Sequence, residues 1–556
     1  MHANVREGIG SVIRTSLPDW RLPLRAWQRD AFAAWSEERP TDALVVATPG
    51  AGKTRFAARL AHALVADRSV TRVIVVVPRE HLKAQVARAM AGAWIQLDHR
   101  FRNVDRALAS DLDGAVVTYQ QVAASPATFA AMTRVPTLVL LDEIHHAGEQ
   151  ASWGQALRDA FGAAKYRVSL SGTPFRSDGA AIPFVRYEAG VCVALTSYDY
   201  ARALGDGVCR ALVFPLHGGE AEWISRDGTQ MRANFEDDLE RRHASERLRT
   251  ALTQPGWLGD VLEKAHLKLL EARADGHTDA GGLVAAMNQE HARFVADLLE
   301  RRCGQKAELV VSDLDDASRR IARFADSREP WIVAVHMISE GVDIPRLRVG
   351  VFASNVISEL YFRQFCGRFV RAGGDPARRR EAFVYLPDDA RLRTMASSIA
   401  GDVRRGLRGT DRDEASAALA AANRVEPDAG AGEFASIAAT AREGHTLDFG
   451  PLFNPTKYLA APPDAIVRIP EAEREPARDE ERTLLTHAEK RDALRGELRA
   501  LVSRASVRFA VDHKLVHATL NQRFGGPVAT ATLAGLEARG RLVTSWLERR
   551  VYDGLR

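Results

Sequence analysis

The sequence predicts an α/β protein with two doubly wound parallel-sheet lobes, a small connector between them and a C-terminal α-helical module. Three observations carry that expectation. Short apolar runs such as Arg72-Val73-Ile74-Val75-Val76-Val77 and Leu138-Val139-Leu140-Leu141 recur between helical segments, and they are too continuous to be amphipathic helices. The same alternation restarts at Gly281-Gly282-Leu283-Val284-Ala285-Ala286 after an interruption. Two runs end in residues suited to ligand chemistry, glycines in one and carboxylates in the other, which is where open parallel sheets bind their ligands.

Composition bounds the rest. A chain of 556 residues has room for about three to four domains. Hydrophobic content of 46% and charged content of 27% are ordinary for globular protein, and a net charge of +4 leans only slightly toward polyanions. Cys192, Cys209, Cys303 and Cys366 are scattered without a short-spaced pair, which argues against a zinc ribbon or a disulfide scaffold and for a reducing compartment. The N-terminal residues lack a signal-peptide pattern, and no apolar run approaches the roughly 20 residues of a membrane span. A cytoplasmic protein without a membrane partner is expected.

Lobe one is expected over residues 1–190. Leu22-Pro23 leads into a helix where the Gln28 amide offers the donor and acceptor that an adenine edge needs, and the Arg25 plane can stack on a base. Taken alone, the same residues suit a surface helix. After the run Ala43-Leu44-Val45-Val46 comes Ala47-Thr48-Pro49-Gly50-Ala51-Gly52-Lys53-Thr54, which has the form of a phosphate-binding loop, with Ala47 where the general pattern has Gly. Its glycines let backbone N–H groups close around phosphate oxygens; Lys53 supplies a point charge and the Thr54 hydroxyl a ligand for Mg²⁺. Strands follow at Arg72–Val77, at Gly114-Ala115-Val116-Val117-Thr118, at Leu138–Leu141 and around Tyr166–Ser171, the third ending in Asp142-Glu143-Ile144-His145-His146.

Residues 191–276 break this rhythm and read as a connector holding a β-hairpin, turning at Arg226-Asp227-Gly228, and charged helices. Lobe two is expected over 277–390, ending in a helix on which Gln364, Gly367, Arg368 and Arg371 share a face; two arginines there call for an anion. Residues 391–485 read as linker, and 486–556 as a helical module. Its first helix is announced by a Thr486-to-Glu489 capping box and the apolar stripe Leu494, Leu498, Leu501 and Val502. Helix-turn-helix character and plain packing suit this tail equally. His513 and His517 stand four apart without further ligands nearby, which favours a solvated or packing role over metal binding.

In this order the motifs resemble those of superfamily 2 helicase and translocase motors, with two RecA-like lobes, over roughly Pro23 to Leu386. Arg25 and Gln28 match the adenine-reading element, and Lys53 with Thr54 the first motif. Asp142-Glu143-Ile144-His145 resembles a DEAH-like second motif and Ser171-Gly172-Thr173 the third. Ser339-Glu340-Gly341-Val342-Asp343 resembles the fifth, and Gln364 through Arg371 the sixth. The wording is most similar to motor subunits of type I and III restriction enzymes and to branched-DNA repair helicases.

The resemblance implies hydrolysis of ATP with Mg²⁺ in a cleft between the lobes. It implies nucleotide contacts from Arg25, Gln28, Thr48, Gly50, Ala51, Gly52, Lys53, Thr54, Gly341 and Asp343, and metal binding by Thr54 and Asp142. Catalysis would rest on Lys53, Glu143, Gln364, Arg368 and Arg371, with Glu143 activating water and the two arginines serving as fingers. His145, Ser171 and Thr173 would couple hydrolysis to grip on a strand touched by Arg79, Thr118, Tyr119, Asn288 and Ser339. The implied activity is an ATP-dependent motor on duplex or branched DNA, in repair or defence. An RNA helicase is the second reading, and an ATP-gated DNA clamp serving a partner nuclease or methyltransferase the third.

Overall fold

Strands that are apolar along their whole length must be covered on both faces. The computed structural model, which describes residues 17–105, 108–145, 151–172, 182–188, 191–311, 317–335, 344–371, 381–408, 434–448 and 485–553, shows how this is done. Lobe one runs α1 (Ala26–Glu38), β1 (Asp42–Ala47), α2 (Lys53–Ala66), β2 (Arg72–Val77), α3 (Glu80–Gly92), β3 (Leu97–Asp98), β4 (Gly114–Thr118), α4 (Tyr119–Ala124), α5 (Pro126–Met132), β5 (Thr137–Asp142), α6 (Ala151–Phe161) and β6 (Tyr166–Ser171). A small ribbon of β7 (Tyr187–Glu188) and β8 (Val191–Cys192) follows, then β9 (Thr196–Tyr198) and α7 (Tyr200–Gly205).

The seven-stranded sheet has the order β3-β4-β2-β5-β6-β1-β9, and every pair in it is parallel. Apolar cores lie on both faces, one built around Phe56, Leu60 and Val75, the other around Ile74, Val139 and Phe161. This order places β6 between β1 and β5. The chain leaving β1 toward Lys53 and the carboxylates leaving β5 therefore flank the end of β6 at Ser171.

Lobe two begins earlier than the sequence suggests. Strand β10 (Leu212–Ile224) turns into β11 (Gln230–Asn234) as the expected hairpin, but β10 also pairs in parallel with a strand of lobe two. The lobe continues through α8 (Arg241–Thr253), α9 (Pro255–Ala274), β12 (Gly281–Ala286), α10 (Gln289–Cys303), β13 (Ala307–Val310), α11 (Ala317–Asp326), β14 (Trp331–Val335), β15 (Leu347–Ala353), α12 (Glu359–Cys366), β16 (Ala382–Pro387) and α13 (Ala390–Arg408). The order is β11-β10-β16-β15-β12-β14-β13, with β17 (Ala435–Asp448) paired antiparallel along the other edge of β10.

Two expectations are corrected here. The segment 191–276 does not stand apart as a connector, since β10 is part of the lobe-two sheet. The stretch 391–485 is not only linker, since it supplies α13 and β17. The β10–β17 register shifts twice, between Pro215 and His217, where proline offers no N–H to its neighbour, and between Glu222 and Trp223.

The C-terminal module is three helices, α14 (His487–Phe509), α15 (His513–Arg523) and α16 (Leu533–Arg549). Thr486 caps α14 through the Glu489 amide, the capping box read from the sequence. Leu498, Val502, Val516, Leu520, Val543 and Trp546 form the module's own core. No described helix is long and apolar enough to cross a membrane.

Candidate functional site

The phosphate loop is shaped by conformations that glycine tolerates and by a scaffold that holds its carbonyls. Gly50 and Gly52 have φ of +81° and +90°, and Lys53 then opens α2. Three side chains of α1 and its cap reach the loop. Arg25 Nη1 donates to the Gly50 carbonyl, Trp27 Nε1 to the Ala51 carbonyl and Gln28 Nε2 to the Gly52 carbonyl, each at 2.9 Å. Because a trans peptide sets N–H opposite C=O, holding the carbonyls of Ala51 and Gly52 toward α1 turns the amides of Gly52 and Lys53 the other way, into the loop's hollow.

Gln28 is thus used differently from the adenine-reading role: its amide oxygen also accepts the Arg25 N–H at 2.8 Å, and the residue is 1% exposed. Trp27, stacked on Tyr198 with ring centroids 5.1 Å apart, was missed in the sequence. Its place between Arg25 and Gln28 was the available signal. Thr48 is buried, and its N–H donates to the Tyr198 carbonyl at 3.0 Å.

Beside the loop, on the far side of β6 in the same sheet, β5 ends in Asp142 and the chain turns sharply. Glu143 sits at φ +49°, a left-handed conformation that costs an ordinary residue about 1–3 kcal/mol and that aims its side chain back toward the loop. Glu143 Oε1 lies 2.7 Å from Lys53 Nζ, and Oε2 accepts the Gly172 N–H at 3.3 Å. Burial pushes the Glu143 carboxyl up, but the Lys53 charge, His145 and these hydrogen bonds outweigh it and hold the group down at about 2. Lys53 Nζ also donates to the Ala47 carbonyl at 3.2 Å.

His145 stands where three elements meet. Its Nδ1 is 3.1 Å from Ser171 Oγ at the end of β6, and its Nε2 is 3.2 Å from Gln364 Nε2 on α12 of lobe two. With the Gln364 amide donating, Nε2 accepts and the ring proton sits on Nδ1, toward Ser171. Tyr119, 1% exposed, gives its hydroxyl to the Asp142 carbonyl at 2.9 Å and so fixes the end of β5.

The sixth-motif residues depart from expectation. Helix α12 ends at Cys366, and the Arg368 and Phe369 amides bond three residues back, to Phe365 and Cys366. Gln364 is therefore helical but Arg371 is not, and the two arginines separate. Arg371 packs on the phosphate loop: a Cβ placed on Gly50 would stand 3.1 Å from Arg371 Cγ. Arg368 is buried near α3, where its charge, after burial itself and together with that of Arg79, keeps His81 below its usual value.

The chain beyond the helix is held by Arg210, which nothing in the sequence marked. Fully buried, it takes the Val370 carbonyl on its backbone N–H at 2.8 Å, and its guanidinium donates to the carbonyls of Arg371, Pro345 (3.1 Å) and Leu347 (3.4 Å). Neighbouring Cys209 forms a β-bridge with Arg371, and its Sγ is 3.6 Å from the Pro49 carbonyl. Gly367 makes the second close approach, since a Cβ there would lie 2.8 Å from Pro49 Cγ.

Of the expected strand contacts, Arg79 is exposed as the residue before α3. Asn288 is exposed, with its side-chain oxygen capping α10 through His291 N at 2.8 Å. The other described pair is corrected: Tyr119 is buried as above, and the Thr118 hydroxyl is engaged by the Gln121 N–H at 3.1 Å. His146, Thr173, Ser339, Gly341 and Asp343 lie outside the described residues.

The oxygen donors fit Mg²⁺. Thr54 lies in the first turn of α2 after β1 and Asp142 is the last residue of β5, and a hydroxyl with one carboxylate is the protein share usual for this ion, the remainder coming from phosphate and water. Fold and site together define a two-lobed α/β protein with a phosphate loop, related to the superfamily 2 motors. Residues 21–176 match the family model described as "Type III restriction enzyme, res subunit".

An uncharacterized protein of Mycobacterium tuberculosis (strain CDC 1551 / Oshkosh) is 37% identical over 575 residues, covering 96% of this chain and 94% of that one. A Mycobacterium leprae (strain TN) counterpart is 36% identical and covers 93% of each. The chain belongs to the family of these mycobacterial proteins. Among solved structures, a fragment assigned as the HsdR subunit of a type I restriction enzyme from Vibrio vulnificus YJ016 aligns with a TM-score of 0.47 at 17% identity, covering 67% of this chain and 65% of that one.

Proposed function

We propose that this protein is a nucleic-acid-stimulated ATPase that moves on or remodels DNA. The observation that carries the reading is the Lys53–Glu143 pair, 2.7 Å apart beside a phosphate loop onto which lobe two packs Arg371. ATP is the substrate that the loop suits, through the inward amides of Gly52 and Lys53.

Arriving phosphates compete with Glu143 for Lys53. As Lys53 turns to them, the charge that holds the Glu143 carboxylate acidic is withdrawn, and the group becomes a better acceptor for the proton of an attacking water. Thr54 and Asp142 would hold Mg²⁺, which when bound neutralises phosphate charge. Arg371 approaches the loop from lobe two as the finger, a contribution of about a thousandfold or more to the rate, with Arg368 as a second charge on the α3 side.

His145 links this chemistry to the other lobe, since Ser171 and Gln364 bind opposite nitrogens of one ring. Opening of the lobes breaks the Gln364 contact and withdraws Arg371, so hydrolysis is fast only in the closed arrangement. DNA is favoured because the matching family model is named for a restriction-enzyme subunit.

The test is ATPase turnover with single-stranded DNA, duplex DNA, forked DNA and RNA, alongside fluorescent-nucleotide binding. DNA is expected to stimulate turnover. Glu143→Gln is expected to bind nucleotide within a few-fold of the parent and to lose about a thousandfold in turnover. Undiminished turnover in Glu143→Gln would overturn the site assignment, and stimulation by RNA alone would choose the RNA reading.

A further inference from the structure

Helix α1 opens at Ala26, so Gln28 stands at its third position, where a glutamine side chain can reach back to the N–H of the capping residue. It does so here. Gln28 Oε1 accepts the Arg25 N–H at 2.8 Å, while Nε2 donates to the Gly52 carbonyl at 2.9 Å. These partners also fix which way the amide lies, because turning it over would set Nε2 against an N–H and Oε1 against a carbonyl.

An amide that reads adenine uses the same two atoms, Oε1 accepting from the N6 amino group and Nε2 donating to N7. A second lone pair and a second N–H remain on Gln28. The residue is 1% exposed, however, so no open side is left from which a base edge could meet them. Reading the base would require Gln28 to give up the helix cap and the brace on the loop together.

Its neighbours on α1 supply no replacement. Trp27 is 1% exposed, and its single donor is on the Ala51 carbonyl. Arg25 gives Nη1 to the Gly50 carbonyl and carries donors only. A guanidinium plane stacks on any base, and a donor aimed at N7 meets an acceptor in adenine and guanine alike. Further along the helix, Arg29 Nη1 donates to the Leu24 carbonyl at 2.7 Å and Asp30 pairs with Arg202 at 3.2 Å. The polar groups of this helix that stand nearest the loop are thus turned to the main chain. What they prepare is the inward amides of Gly52 and Lys53, which meet phosphate whatever base is attached.

We propose that this site takes purine nucleoside triphosphates without distinguishing adenine from guanine, and that Gln28 is a positioning residue of the phosphate loop and not a reader of the base. The inference rests on the triphosphate-hydrolysing reading above and names its substrate class. Stacking area alone then grades the bases, which places CTP a few-fold behind the purine nucleotides.

The test uses the full chain and measures steady-state hydrolysis of ATP, ITP, GTP and CTP, with and without duplex DNA. The kcat/KM values for ATP, ITP and GTP are expected to agree within about threefold. A bidentate amide contact to adenine would instead favour ATP over ITP by about tenfold to a hundredfold. A preference of about tenfold or more for ATP over either ITP or GTP would overturn the proposal.

Gln28→Met should raise KM for ATP and GTP by the same factor, about tenfold, with kcat changed a few-fold at most. A loss confined to ATP would make Gln28 a base reader after all. Trp27→Phe keeps a ring against Tyr198 and removes only the donor to Ala51, so it should show the same nucleotide-independent rise if Gln28→Met folds poorly. Should no triphosphate be hydrolysed in any arm, the functional reading fails instead. Hydrolysis of ATP with rejection of ITP and GTP leaves that reading standing and sinks this one.

Discussion

Glu143 concentrates the chemistry of the site in one residue: a left-handed backbone, a carboxylate paired to Lys53 and a second oxygen on the Gly172 amide. Its acidity makes the pair visible to pH. A carboxyl held at about 2 in the fold, against an ordinary 4.5, contributes stability that is present above the unfolded value and lost as pH falls toward the folded one. In Lys53→Met the largest depressing charge is gone and only His145 and the Gly172 N–H still oppose burial, so the pKa rises. The difference in urea unfolding free energy between parent and Lys53→Met should therefore narrow from about pH 6 to about pH 3. A constant difference across that range would exclude the pair as its source.

Arg210 makes the second residue-scale prediction. Replacing it with Met leaves the Arg371, Pro345 and Leu347 carbonyls without their donor and frees Arg371 from its bridge position. ATPase kcat should fall about a hundredfold with KM changed a few-fold, and Arg210→Lys should recover part of the loss. A KM effect alone would mean that Arg210 serves nucleotide binding rather than the placing of Arg371. The sequence could not announce this residue, because its partners are main-chain carbonyls more than 100 positions away.

At the scale of elements, periodicity was a good guide to interiors and a poor one to ends. Runs such as Arg72–Val77 and Gly281–Ala286 became the strands expected of them, and the Thr486 capping box began α14 where it was read. Helix α12 stopped at Cys366, and the backbone four to five residues further on is bonded instead to Arg210 and Cys209. Strand β10 joined lobe two because its edges meet β16 and β17 from far along the chain, pairings that alternation cannot encode.

Gly219 tests that edge. It has φ +115°, and a Cβ there would stand 1.9 Å from the Thr440 carbonyl oxygen. Gly219→Val should cost at least about 2–4 kcal/mol in urea unfolding. Gly228→Ala, at φ +85° with open space around it, should cost only about 1 kcal/mol. Equal losses would show that backbone conformation alone, and not the approach of β17, decides these positions.

Over the whole molecule, the lobes meet at Gln364–His145, Gly367–Pro49 and Arg371–Gly50, and the tail meets lobe one at Asp111. That carboxylate takes Arg491 on one oxygen and the Leu533 N–H at 2.8 Å on the other, tying α14 and α16 to the same point. Arg491 is 3% exposed, so Asp111→Ala strands a buried cation, at a cost of about 3–5 kcal/mol when one partner of such a pair is removed. Hydrogen exchange in α14 and α16 should accelerate. Pairing Asp111→Ala with Arg491→Met should restore protection in α14 but not at the start of α16, whose Leu533 N–H still lacks its acceptor, and failure to restore α14 would place the docking energy elsewhere along the seam.

The sequence by itself determined the local chemistry of this protein: which runs are buried strands, where a loop can close on phosphate, and which carboxylates and histidine end the strand beside it. These follow from side-chain type and short-range spacing. Only the tertiary structure decided that Gln28 braces the loop, that Arg368 and Arg371 part, that Tyr119 supports Asp142 from within, and that the tail docks on lobe one at Asp111. Each of those outcomes depends on which distant backbone or charge satisfies a buried polar group, and that competition is settled only when the chain is packed.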